Sequence, residues 1–168
     1  MAEEFHDTFN PQKPDKPTAF TKTKAFHRAD FKAEELVELL YAASTGDPEE
    51  FSELVNGLHD AIEQAKQKVL NKQSAEIDPL VAQADALADI LYFTYGSFVL
   101  LGVDPKPIMD IVHQANMGKL FPDGKPHYDA KTNKVLKPDN WERDFAPEAK
   151  IKEELLRQMK ASEEKKRD

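Results

Sequence analysis

Ala84–Leu101, ADALADILYFTYGSFVLL, is the longest apolar stretch of the chain, and its only charges are Asp85 and Asp89. It is slightly short for a membrane span, and each aspartate adds roughly 2.5–3.5 kcal/mol to insertion at the centre of a bilayer. The stretch is therefore predicted to be the buried helix of a bundle or of an oligomer interface. Asp78-Pro79 precedes it and Gly102 follows it. Aspartate accepts hydrogen bonds from the free amides of a first helical turn, proline tolerates the first helical position, and glycine ends helices readily. These signals bound a helix over 79–101.

The same punctuation recurs along the chain. Asp47-Pro48 and Asp104-Pro105 repeat the start signal, with Glu50 three residues after Asp47, and Gly46 stands at a helix end. The pattern predicts helices over 28–44, 48–71, 79–101 and 105–116. A further helix is predicted to start at Pro147 and fray in the charged tail from Glu163 to Asp168. Residues 1–23, with Pro11, Pro14 and Pro17, read as an extended arm. From Gly118 to Asn140 the turn residues dominate, with Phe121-Pro122-Asp123-Gly124 and Lys131-Thr132-Asn133-Lys134 flanking room for one short hairpin. No internal repeat and no alternating strand pattern is present. Four helices with short links predict an all-α, antiparallel four-helix bundle in a single domain over 1–168.

Composition bounds the function. The 168 residues are 40% hydrophobic and 32% charged, an ordinary soluble balance. With no cysteine, a disulfide, a thiolate nucleophile and a Cys-based zinc site are excluded. The formal net charge of −8 disfavours a nucleic-acid polymer as partner. The opening MAEEFHDTF lacks the order of a signal peptide, and a cytoplasmic location without membrane association is expected.

The acidic residues carry the chemistry. In FKAEELVELLYAAS, Phe31 to Ser44, a turn of about 100° per residue places Glu35 and Glu38 on one side with Phe31 and Ala42, with Glu34 flanking them. Leu36, Val37, Leu40, Tyr41 and Ala43 fill most of the remaining circumference. Asp85 and Asp89, four apart, share a face with Ala82, Tyr92 and Gly96. An ordinary surface helix sets its acids opposite a single apolar face; these acids interrupt apolar helices. Both helices are thus expected to turn carboxylates toward a protein interior, where converging acids require a multivalent cation. Mg²⁺ suits such a set, since it takes carboxylate oxygens and keeps waters that phosphate can replace. Solvated acids or acids of a helix first turn are the plainer reading, and Glu34 fits it.

Glu34-Glu35-Leu-Val-Glu38, followed after a helical hairpin by Asp85-Ala-Leu-Ala-Asp89, resembles the all-α nucleoside triphosphate pyrophosphohydrolases, the MazG-like and phosphoribosyl-ATP pyrophosphohydrolase-like proteins. Val112 to Lys119, Asp123-Gly124-Lys125 and Lys134 to Pro138 extend the likeness, which spans about residues 20–145. The family pattern, EExxE then ExxD, has an acid where this chain has Ala86; Asp85 reaches the same face as Asp89, with a shorter side chain that leaves direct or water-mediated contact open. The resemblance implies Glu35, Glu38 and Asp89 as metal ligands with Asp85 a fourth, and Mg²⁺ or Mn²⁺ as the cofactor. It implies hydrolysis at the α-phosphorus of a nucleoside triphosphate to the monophosphate and pyrophosphate. Glu34 or Glu35 would orient or deprotonate the attacking water. Asn116 and Lys119, three apart at a helix end, and Arg28 are the candidates for binding the nucleotide substrate.

Other residues read as structural. Asp110 and His113 have a metal-compatible spacing but suit a surface pair, and His59-Asp60 is predicted to face solvent. Lys24 and Lys125 read as surface charges, and Trp141, Tyr92, Tyr95 and Phe98 as core or interface. Two competing functions are a non-catalytic helical interaction module and a carboxylate-bridged di-iron bundle. The latter adds Glu-x-x-His on two helices, and the acid-bearing helices have none. The helix over 84–101 is apolar on more faces than a small monomer covers, so a homodimer or homotetramer is expected.

Overall fold

A computed structural model of the chain describes residues 1–72, 77–130, 132 and 134–165. Lys131 and Asn133 of the expected second turn, and positions 166–168 of the expected frayed tail, lie outside the described residues. The elements are α1 (Ala2–Phe9), α2 (Lys22–Ala43), α3 (Pro48–Asn71), α4 (Pro79–Leu101), α5 (Pro105–Met117), α6 (Trp141–Asp144) and α7 (Glu148–Glu164). The fold is all-α; the described part of the expected hairpin is one isolated antiparallel bridge, Tyr128 with Val135.

The aspartate–proline starts form as their chemistry dictates. Asp47 accepts from the amides of Glu49 and Glu50 at 3.0 and 2.9 Å, Asp78 from Leu80 and Val81 at 2.9 and 3.3 Å, and Asp104 from Lys106 at 3.0 Å. The N-terminal arm needs correction. Residues 2–9 are helical because the prolines begin only at Pro11, Glu3 and Glu4 face the positive end of the helix dipole, and Phe5 stacks on Phe9 one turn later with ring centroids 4.5 Å apart. Likewise α2 starts at Lys22, six residues before the predicted start, because Thr21 accepts from the Lys24 amide at 3.2 Å and caps it.

The chain divides into two compact units, Lys16–Leu87, and Met1–Asp15 with Ala88–Asp168. In the first, α2 packs on α3. Their link runs through Thr45 and Gly46 with φ of 51° and 82°, so Gly46 sits in the left-handed region where glycine alone is unstrained. Ser44 is fully buried there and donates to the Tyr41 carbonyl at 2.8 Å, while the Tyr41 ring meets Phe51 edge-on. In the same unit the Gln83 side chain accepts from the Phe20 amide at 2.7 Å and donates to the Phe20 carbonyl at 3.2 Å. This pair ties the start of α4 to the segment that leads into α2.

In the second unit α5 packs on both α7 and α1. Ile108 and Ala115 of α5, Phe9 of α1 and Trp141 of α6 are its buried apolar side chains among the described residues. The C-terminal helix, expected from Pro147, is thus a packing partner of α5. Its Gln158 accepts from the Asp104 amide at 2.8 Å and donates to the Asp104 carbonyl at 3.1 Å, joining α7 to the start of α5. Gln158 also donates to Glu154, which Arg157 grips through two nitrogens at 2.7 and 2.6 Å. Arg157 first, and Gln158 second, hold the Glu154 carboxyl down from 4.5 to about 2.

By contrast α4 buries no residue within the chain, and Leu100 is 89% exposed. It is long and apolar enough to cross a membrane by length and composition alone.

Two predictions follow from the packing of the second unit. Gly118 lies against Phe145, and a Cβ added there would stand 2.2 Å from Phe145 Cγ. Gly118→Ala is expected to cost about 1–3 kcal/mol through overpacking, read as a lower thermal midpoint; an unchanged midpoint would contradict the contact. The second concerns acid. A carboxyl whose folded value is depressed contributes stability that is present above its unfolded value, here near 4.5, and lost as the pH falls toward 2. Between pH 5 and pH 2 the thermal midpoint of Glu154→Gln should therefore fall less steeply than that of the unsubstituted protein.

Candidate active site

The candidate residues of α2 lie along one continuous helix, Lys22–Ala43. Arg28 stands two turns before Glu35, so Arg28, Phe31, Glu35 and Glu38 form one stripe along the helix, with Glu34 beside it. The Arg28 guanidinium lies 5.5 Å from the centre of the Phe31 ring, and its carbonyl accepts from Lys32 at 2.9 Å. Burial pushes the Lys32 ammonium below its usual value, with the Arg28 charge a second cause. The Lys32 ammonium is thus bonded to the backbone of its own helix.

Asp85 belongs to the same unit as this stripe, two residues after the Gln83–Phe20 tie, and Asp89 follows one turn later on α4. Sequence reasoning placed these carboxylates toward an interior. In the chain as described, Glu34, Glu35, Glu38, Asp85 and Asp89 are all exposed, as are their apolar neighbours Leu36, Leu39, Leu87 and Ile90. The physical reason is the uncovered surface of α4, which leaves nothing to seal the acids from solvent. Among the described residues no three acidic or histidine side chains are grouped to hold a metal ion. Nor does any of Glu35, Glu38, Asp85 and Asp89 have a salt-bridge partner among them, although most other helices carry such pairs.

Asn116 and Lys119 close the end of α5. Lys119 donates to Asn116 Oδ1 at 2.7 Å, and both side chains are half-buried. The support beneath them was not legible in sequence. Trp141 is 5% exposed and donates its indole N–H to the Ala115 carbonyl at 2.8 Å, and Lys137 sits over its ring at 3.8 Å. Phe145 fills the space that the missing Cβ of Gly118 leaves open. A tryptophan is readily predicted to be buried, but its partner is 26 positions away, and no local pattern selects it.

The remaining candidates resolve into structural pairs. Asp110 takes Lys106 at 3.1 Å, and His113 bonds Glu4 of α1 at 2.9 Å, so their shared spacing serves two different contacts. One Glu-x-x-His spacing exists, Glu3 with His6 on α1, but Glu3 pairs with Lys13 at 3.1 Å. Tyr92 and Tyr95 of α4 are exposed, whereas Trp141 belongs to the core. Within the Lys16–Leu87 unit, Glu35, Glu38 and Asp85 are hard carboxylate donors with Arg28 on the α2 stripe, and in the other unit the end of α5 has a cationic and an amide group of the kinds that suit phosphate.

Comparison with known proteins identifies the family. The profile of the phosphoribosyl-ATP pyrophosphohydrolase family matches residues 2–116. Among solved structures, the crystal structure of "a putative NTP pyrophosphohydrolase" from Exiguobacterium sp. 255-15 is 40% identical, covers 96% of this chain and 95% of its own, and superposes with a TM-score of 0.83. Comparison with curated proteins returned no match. The family profile across most of the chain and a structural likeness along nearly all of it lead to one conclusion: the chain belongs to the phosphoribosyl-ATP pyrophosphohydrolase family and is an all-α nucleotide pyrophosphohydrolase.

Proposed function

We propose that this enzyme hydrolyses a nucleoside triphosphate at its α-phosphorus, releasing the monophosphate and pyrophosphate, with Mg²⁺ or Mn²⁺ held by Glu35, Glu38, Asp85 and Asp89. The observation that carries the reading is the lack of any salt-bridge partner for these four acids among the described residues, on helices otherwise rich in apolar side chains. Their donors fit the ion: all are hard oxygens, and each pair is spaced by about one turn. When bound, the cation neutralises the phosphate oxygens and lowers the proton affinity of coordinated water.

The rest is work for the chain's own residues. Glu34 or Glu35 accepts a hydrogen bond from the attacking water and takes its proton. Arg28, two turns along the same stripe, and Lys119 offset the charge of the phosphate chain, and the Asn116 amide fixes the orientation of the nucleotide. The attack breaks the bond from the α-phosphorus to the bridging oxygen, and pyrophosphate leaves in line. Positioning and charge stabilisation supply most of the acceleration in such a displacement.

The assembly follows from α4. A helix exposed along its apolar length in the single chain needs a cover, and Asp85 and Asp89 make lipid a costly one. A second copy of the chain, in a homodimer or homotetramer, covers the apolar surface and leaves the aspartates to a cation.

Three outcomes test the reading. Purified protein with Mg²⁺ should release pyrophosphate from one or more common NTPs or dNTPs, and EDTA should abolish the release. Glu38→Gln should lower kcat by about 10²–10³-fold while retaining the helical circular dichroism spectrum; full activity in that variant would remove Glu38 from the site. Light scattering at micromolar concentration should give a mass at least twice that of one 19.0 kDa chain, and a monomer would overturn the assembly.

A further inference from the structure

The N-terminal helix is bonded on both sides of the Asn116–Lys119 pair. On one side Glu4 of α1 meets His113 at 2.9 Å, three residues before Asn116. On the other, the Tyr128 hydroxyl donates to the Phe9 carbonyl at the end of α1 at 2.5 Å, nine residues after Lys119. Between these two bonds Phe9, 2% exposed, is driven into the unit where α1 packs on α5. Phe5 stacks on Phe9, and Lys13 folds back to pair with Glu3 and Asp7, so the segment that follows α1 is tied to it as well. A helix end and the loop that leaves it are the parts of a fold that open most easily. Here one short helix bridges α5, upstream of that end, and the segment around Tyr128 downstream of it.

We propose that α1 is a strap that holds the C-terminal end of α5 and the following loop in register, with Glu4, His113, Phe9 and Tyr128 as positioning residues for the Asn116–Lys119 pair. The assignment of that pair to the substrate rests on the function proposed above; the strap itself rests on the contacts of α1. Trp141 and Phe145 support the same helix end from the other elements of the unit, through the Ala115 carbonyl and Gly118. Their contacts remain when α1 is released, so loosening the strap should soften the end of α5 without unfolding the unit. Glu4 and Tyr128 touch neither Asn116 nor Lys119 through any side-chain hydrogen bond described for them.

The test is the full-length double variant Glu4→Ala with Tyr128→Phe, followed in two ways. Hydrogen–deuterium exchange at residues 115–120 should speed up by about tenfold or more, while exchange in α3 is unchanged. In parallel, KM for the hydrolysed nucleotide should rise by about fivefold or more with kcat within about twofold. Glu4→Gln, which keeps an acceptor for His113, should restore most of both when paired with the native Tyr128. Unchanged exchange at 115–120 in the folded double variant overturns the strap. Faster exchange with an unmoved KM overturns its positioning role and leaves α1 a packing element. Should the unsubstituted protein hydrolyse no nucleotide, the proposed function fails instead, and the exchange arm together with calorimetric binding of pyrophosphate still decides the strap and the pair it holds.

Discussion

An apolar helix that carries two carboxylates sets conflicting demands, and the rest of the molecule answers them. Apolar surface gains from leaving water, whereas an ionised carboxylate taken out of water needs a cation or a full set of donors. Asp85 and Asp89 interrupt the apolar run of α4, and Glu35 and Glu38 interrupt that of α2. Neither helix satisfies both demands within one chain: α4 buries nothing, and the four acids have no salt-bridge partner among the described residues. The proposed covering by a second copy and the proposed divalent cation would resolve the conflict together.

The two compact units divide the labour. The unit over Lys16–Leu87 has little buried core; the contacts that order it are a tight turn, a buried serine and the reciprocal Gln83–Phe20 bonds. Most of what it presents is an acidic stripe with Arg28 at one end. The second unit contains the tryptophan, the buried α5 side chains and a dense set of long-range bonds. It is built to hold one helix end still. Sites that bind charged, flexible ligands gain from such rigidity, because a pre-positioned cation and amide lose less entropy on binding.

The departure at Ala86 fits within this arrangement. An acid three residues before Asp89 would share its face, and so does Asp85 four residues before, since neighbouring turns bring both spacings to one side. The shorter side chain of aspartate changes the reach of the donor and leaves its kind intact. In the proposed metal set the substitution therefore changes the reach of one donor and not the kind of donor.

Local rules were enough for the helices. Asp47, Asp78 and Asp104 before prolines fixed the starts of α3, α4 and α5, since a cap is satisfied by atoms two or three residues away. The positions of the acids on α2 and α4 are visible in the periodicity, but their expected burial is not met, because burial depends on what covers a helix and not on its own pattern. Further misses were at the N-terminus, where three prolines masked a helix ahead of them and a threonine cap ahead of α2. Beyond those, the tertiary structure alone decided which surfaces met: that α1 lies on α5, that Trp141 supports Ala115, that Phe145 requires Gly118, and that α4 stays uncovered within the chain. Such contacts join residues far apart in sequence, and their free energy depends on shape and burial across the fold, which no local pattern encodes.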